Sequence, residues 1–328
     1  MQEIDGQAVG GEALFVQGVQ KTGTSTLVGM LNCHPDIFVL YETNLCQTAI
    51  SRYGNQLLKR YPGARQFFRP TNQPAVRYRE LAAWLAQQPG NRQYRYFGDK
   101  LIDLDPDLTQ RGEAVRTLFM LRDIRSWLVK QPVVRCYRSD LDVVPVTIAW
   151  LKYLIGSFRH RHCLRIWMED LLNDNAGTLV RLSRWLGLDL TTACHGWWNR
   201  LGQHATGDPK SMLDWYSVHP SSGQPPGRLD TTVDVHDCPF WDEVLPLAER
   251  YRGLGDTCPS HQQISQDLAT TETLQRYSPL PLEQCYRNVV TTRIGIDTPL
   301  QSDPQPARQR RGRRFVPFSR YRSRQRSG

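Results

Sequence analysis

The sequence predicts an α/β protein with a parallel sheet of four or five strands flanked by helices. Three observations carry that expectation. Residues 14–27 begin as an apolar run, pass through glycine and hydroxyl residues, and continue into Leu27, Val28, Met30 and Leu31 at helical spacing. That is the order strand, tight loop, helix. Residues 37–41 and 115–121 are short continuous apolar runs, the pattern of strands buried on both faces. Helical stretches lie between these runs, as layers wrapped around a parallel sheet require.

The first loop is of the P-loop type. Gly18 and Gly23 have four residues between them, the spacing of the nucleoside-triphosphate loop G-x-x-x-x-G-K-[ST]. Thr24 stands where that loop has its lysine, and the only lysine is Lys21. Backbone N–H groups and a helix N-terminus aimed at one spot favour an anion, usually a phosphate. A plain glycine-containing turn is the other account of the same residues.

Lys21-Thr22-Gly23-Thr24-Ser25-Thr26 resembles the K-x-G-T-[TS] loop of PAPS-dependent sulfotransferases. In that family the run holds the 5′-phosphosulfate of 3′-phosphoadenosine 5′-phosphosulfate (PAPS). The resemblance implies that these six residues bind the cofactor.

After the loop helix, Pro35 ends the helical region and the second strand follows, with Glu42 just past its end. Ligands gather outside the carboxyl ends of parallel strands, so Glu42 and the Lys21 loop are expected to share one crevice. The run L-x-x-H-P-D-I followed by a glutamate resembles the carbohydrate-directed sulfotransferases, where a glutamate here takes the acceptor's proton. Glu42 could instead cap the next helix, beside Thr43 and Asn44. His34, on the approach to the same strand, is the next candidate base.

Residues 45–93 read as helical or irregular, with one amphipathic helix over 80–88. Residues 94–100 give a third strand ending Gly98-Asp99-Lys100, which resembles the family's G-[DE]-K. That implies a lysine near the transferring sulfuryl group; a solvated strand-end lysine is the alternative. The fourth strand, residues 115–121, runs into Arg122-Asp123 and a helix towards Gln131. This resembles the second PAPS signature, whose arginine clamps the 3′-phosphate, and an arginine fork suits a phosphate dianion. The family's serine eight residues on is here Lys130, able to bind phosphate as a point charge. Ser126, one turn in, could serve instead.

Residues 143–158 read as a long helix, 163–168 as a strand and 176–186 as a helix stopped at Gly187. This stretch resembles the family's Y-E-D-L…L-x-x-F-L-G segment, and Glu169 and Asp170 are expected to order the core and the following turn. Trp197-Trp198 and Trp215-Tyr216 are core pairs or stacking surfaces. Residues 240–251 read as a last helix, with Pro246 a defect in it.

The expected organisation is a folded domain over 12–255, an irregular extension over 256–301 and a disordered basic tail over 302–328. Residues 305–328 hold nine arginines and no acid, so the tail carries the whole net charge of +9. Such a tail could contact an anionic surface or nucleic acid. No apolar run approaches the ~20 residues of a membrane helix, and no signal pattern opens the chain. The expected location is cytoplasmic. The eight cysteines lack C-x-x-C spacing, the pattern of reduced thiols. Cys194-His195 with His204 is a weak metal motif.

Taken with the resemblance, the sequence implies sulfuryl transfer from PAPS to a hydroxyl acceptor, a glycan or glycolipid, without a metal. Lys21 would meet the leaving oxygen, Lys100 the sulfuryl oxygens and Glu42 the acceptor proton. A small-molecule P-loop kinase is one alternative. A protein acting through its arginine tail on nucleic acid or an anionic surface is the other.

Overall fold

The computed structural model describes residues 11–19, 21–47, 50–101, 115–128, 143–160, 162–199, 210, 231–235, 239–277 and 286–291. The chain divides into two units, Met1–Ile294 and Gly295–Gly328, and the second lies wholly outside the described residues.

Five strands form one parallel sheet in the order β2-β3-β1-β4-β5. They are β1 (Glu12–Gln17), β2 (Ile37–Tyr41), β3 (Tyr96–Leu101), β4 (Arg116–Leu121) and β5 (Cys163–Trp167). Register is continuous across the site half of the sheet, with Tyr41 beside Lys100 and Lys100 beside Val16. The central strand β1 has β3 on one side and β4 on the other. The polypeptide therefore leaves β1 at the point where the strand order reverses, and the carboxyl ends of β1, β2, β3 and β4 rim one crevice.

Helices cover both faces: α1 (Thr24–Leu31), α2 (Arg52–Arg60), α3 (Pro74–Ala86), α4 (Ile124–Leu128), α5 (Val143–Ser157), α6 (Met168–Asn173), α7 (Asn175–Leu186) and α8 (Leu190–Ala193). After these come α9 (Pro239–Gly253) and α10 (His261–Thr273). The period of two along β4 splits its side chains between two cores. Leu118 and Met120 pack with Leu27, Leu81 and Leu182; Phe119 and Leu121 pack with Trp150, Leu154 and Trp241. Pro246 is accommodated inside α9. A separate antiparallel pair, β6 (Thr231–Val235) with β7 (Tyr286–Thr291), was not foreshadowed by the sequence pattern.

Residues 261–273, expected to be irregular, are helical. Ser260 caps α10 by accepting from Gln263 N at 3.1 Å, and the inward side holds Ile264, Asp267 and Thr271. Two of those three positions are polar, which hid the apolar period. Asp267 is satisfied there by Tyr251, whose hydroxyl donates to it at 2.7 Å, and by Arg250. The helix expected over 80–88 begins earlier, at Pro74, whose missing N–H costs nothing in a first turn. The five described cysteines are free thiols. No described helix is long and apolar enough to cross a membrane.

Candidate active site

The loop between β1 and α1 closes on itself tightly. A Cβ at Gly18 would lie 2.5 Å from Thr24 Cγ2 and 2.6 Å from Thr22 Oγ1, so only glycine fits. Thr22 directs both its N–H (3.3 Å) and its hydroxyl (2.8 Å) at Val19 O. Between these anchors Lys21 takes φ 70° and Gly23 φ 104°, and for lysine the left-handed region is strained. Gly23 is the N-cap of α1; no side chain caps this helix and no acid lies in its first turn. Its leading N–H groups are left for an anion. Thr22 and Thr24 are buried within the loop, Ser25 and Thr26 are half-buried at its rim, and Lys21 is exposed.

Lys100 projects from the end of β3 into the same place. It is almost fully buried, at 1% exposure. Its Nζ is ion-paired with Glu42, donates to Ser25 Oγ at 3.0 Å and lies 3.5 Å from the centre of the Tyr41 ring. Tyr41 also shares a hydrogen bond with Ser25. Burial pulls the Lys100 ammonium down to about 8, and Glu42 beside it opposes that fall. Strand β3, the loop helix and the end of β2 thus meet at one buried cation.

Glu42 is held by its backbone as much as by its side chain. It takes φ 48°, Asn44 takes φ 58°, and Glu42 N donates to Lys100 O at 3.1 Å. Between them Thr43 is pinned by fully buried Asp99. The Asp99 carboxylate accepts from Thr43 N (3.0 Å), Thr43 Oγ1 (2.5 Å), Tyr78 OH (2.7 Å) and Lys100 N (2.8 Å). Burial pushes this carboxyl up to about 6, despite those four donors. Of the two accounts of Glu42 open in the sequence, this one is not a helix cap. The N-cap of α2 is Ser51, which accepts from Tyr53 N and Gly54 N.

Arg122, at the end of β4, is 3% exposed. Its Nε donates to Ser126 Oγ at 3.0 Å and its Nη1 to Lys21 O at 3.3 Å. Ser126 in turn donates to Glu169 Oε1 at 2.5 Å, and Glu169 also accepts from Asp123 N at 3.2 Å. Burial lowers the Arg122 pKa from its ordinary value, opposed by Glu169 and Asp123. Glu169 therefore orders the turn after β4, rather than the turn that follows it in the chain.

Lys21, Glu42, Lys100 and Arg122 thus come to one end of the sheet. Lys130 and the Trp215-Tyr216 pair lie outside the described residues, as does His204 of the weak metal motif. Cys194 is buried and donates to Met30 O at 3.3 Å. His34 is corrected as a reserve base: it precedes β2 whereas Glu42 follows it, so a whole strand separates them. Its Nδ1 accepts from Asp36 N at 3.0 Å, and burial lowers its pKa. Trp197 is core, edge-on to Trp198. Asp99 and Tyr78 escaped the sequence reading. Asp99 stood in Gly98-Asp99-Lys100, but nothing marked Tyr78, on a helix, as its partner.

No family model matches the chain, and no curated protein does. Among solved structures it is similar to the sulfotransferase domain from the Synechococcus PCC 7002 olefin synthase, at 16% identity and TM-score 0.45 over 76% of this chain and 98% of that one. It is also similar to mouse sulfotransferase SULT7A1 complexed with PAP, at 11% identity and TM-score 0.40 over 81% and 89%. Retinol dehydratase in complex with androsterone and inactive cofactor PAP follows at 14% identity and TM-score 0.36, over 76% and 83%.

Proposed function

We propose that this protein transfers a sulfuryl group from PAPS to a hydroxyl acceptor, a glycan or glycolipid. The observation that carries the proposal is the buried Lys100, ion-paired with Glu42 and bonded to Ser25 in the first turn of an uncapped helix. A base and a cation stand beside an anion cradle.

The cradle fits the cofactor's phosphates. A Cβ at Gly18 would strike Thr22 and Thr24 of the loop and one at Gly23 would strike Met168 and Met120 of the core, so the loop backbone is held close. The α1 N-terminus has neither a side-chain cap nor an acid in its first turn. Residues 21–26 would hold the 5′-phosphosulfate, and Arg122 with Lys130 the 3′-phosphate. Bound there, PAPS would supply the activated sulfuryl group. Glu42 takes the acceptor hydroxyl's proton as the acceptor oxygen bonds to sulfur and the bond to the 5′-phosphate oxygen breaks. Lys21 offsets the charge that gathers on that leaving oxygen, and Lys100 the charge on the sulfuryl oxygens. Asp99 and Tyr78 keep Glu42 and Lys100 aligned, so little reorganisation is left to the reaction itself.

Thermal melts test the cofactor choice. PAP well above its Kd raises the melting temperature, and ADP, lacking the 3′-phosphate, raises it less. Equal shifts with ADP, or a larger one with ATP and Mg²⁺, would favour a P-loop kinase.

A further inference from the structure

Positive charge in this protein is segregated, and one of its two concentrations lies against the site. Residues 51–95 hold nine basic side chains and a single acid, Glu80. The rest of the chain up to residue 304 holds 23 basic against 31 acidic. The segment is thus strongly positive on a body that is otherwise negative. It makes up most of the connection between β2, which Glu42 follows, and β3, which carries Lys100.

Helix α2 shows how the charge is presented. Gly54 and Leu57 face inward, while Arg52, Asn55 and Lys59 are exposed, seven residues and two turns from first to last. At 1.5 Å per residue that outward stripe is about 10 Å long. Arg65 and Arg69 are exposed just beyond it. Among the described residues Arg52, Lys59, Arg65 and Arg69 form no ion pair. The bland account of basic residues on a helix is dipole compensation, and it serves Lys59 in the last turn. It fails for Arg52, a cation in the first turn, where the dipole opposes it. Arg52 is held there by stacking 4.7 Å over the Tyr53 ring. Tyr53 packs edge-on against Tyr41 with centroids 4.6 Å apart, and Tyr41 lies beneath Lys100. Two rings join Arg52 to the reacting end of the sheet.

We infer that the acceptor is a polyanion, an oligosaccharide bearing carboxylate or sulfate groups, bound along the outward stripe of α2 with Arg52 nearest the reacting hydroxyl. This deepens the proposed function and rests on it. A single-stranded nucleic acid, the other extended polyanion, needs open aromatic faces for its bases. Along α2 the rings of Tyr53 and Tyr61 are half-buried and already covered by Arg52 and Arg60.

Binding to the full chain tests this, with oligogalacturonate, its methyl ester and single-stranded DNA as probes. The first two share every ring hydroxyl and differ in charge. Oligogalacturonate binds, and more tightly than the ester, with an advantage that shrinks as salt is raised. Arg52→Glu with Lys59→Glu weakens oligogalacturonate binding by about tenfold or more, while the circular dichroism and the melting shift with PAP are retained. Equal binding of acid and ester, absence of binding, tighter binding of DNA, or full affinity in the double variant would each overturn the inference. That last result would place binding on the arginine tail. Loss of the PAP shift in the wild-type protein, with the charge dependence intact, would instead sink the sulfuryl-transfer proposal alone.

Discussion

The Arg122 guanidinium donates to the backbone carbonyl of Lys21 at 3.3 Å, across 101 residues of sequence. The bond ties the end of β4 to the strained point of the loop after β1, so the two halves of the proposed cofactor site are one assembly. Arg122→Lys cannot span both Ser126 and Lys21, and it leaves one buried acceptor unmet. The cost is about 1–3 kcal/mol of stability. PAP affinity falls further than adenosine 5′-phosphosulfate affinity. Calorimetric titration of both ligands, with a melt of the variant, checks this; equal losses would place Arg122 in the scaffold alone.

Glu42→Gln keeps shape and a polar group but cannot take a proton. Sulfate transfer falls about 10²–10⁴-fold, with PAP affinity maintained. The readout is turnover beside PAP binding on the same preparation. A Glu42→Gln enzyme with full turnover would move the base elsewhere.

Lys100 sets a pH dependence. Its folded pKa of about 8 lies below the ordinary 10.5, so above pH 8 the unfolded chain holds the extra proton and stability rises towards pH 10.5. If the charged ammonium serves transfer, activity declines as pH passes about 8 while this contribution to stability grows. Lys100→Met removes both trends, and denaturant melts and rates measured from pH 7 to 10 on the two proteins reveal it.

Asp99 behaves in the opposite sense. Its folded pKa of about 6 exceeds the ordinary 3.8, so its contribution is full below pH 3.8 and is lost as pH rises through 6. Asp99→Asn abolishes that decline. It also sets an amide N–H₂ against one of four backbone or hydroxyl donors, at a cost of about 1–3 kcal/mol. Because Asp99 pins Thr43, the turn carrying Glu42 loosens, and turnover falls while PAP affinity holds. Melts between pH 4 and 7 separate the titration from the lost hydrogen bond.

Lys130→Ala weakens PAP binding and spares adenosine 5′-phosphosulfate, provided Lys130 meets the 3′-phosphate. Parallel titrations decide it: a loss shared by both ligands, or by neither, makes Lys130 a surface lysine.

The sheet strands were legible because burial on both faces leaves runs such as Ile37–Tyr41 with no polar residue. The loop was legible because its geometry tolerates few residue types: Gly18 has no room for a Cβ and Gly23 needs a positive φ. Both constraints act within a few residues, so they are written locally. What only the tertiary structure decided is which distant side chains meet. Lys100 could have been any solvated strand-end lysine; parallel register sets it beside Tyr41, and the β1–α1 loop brings Ser25 to it. Asp99 was one acid among 32, and its role depends on Tyr78 arriving from α3 and Thr43 from the end of β2. Helix α10 was hidden because its inward side buries Asp267 and Thr271, whose cost is met by Tyr251 and Arg250 of α9 and by Leu268 O. Hydrophobic period reports burial only where buried means apolar. Where burial is made tolerable by a partner far along the chain, the pattern is silent until the partner is in place.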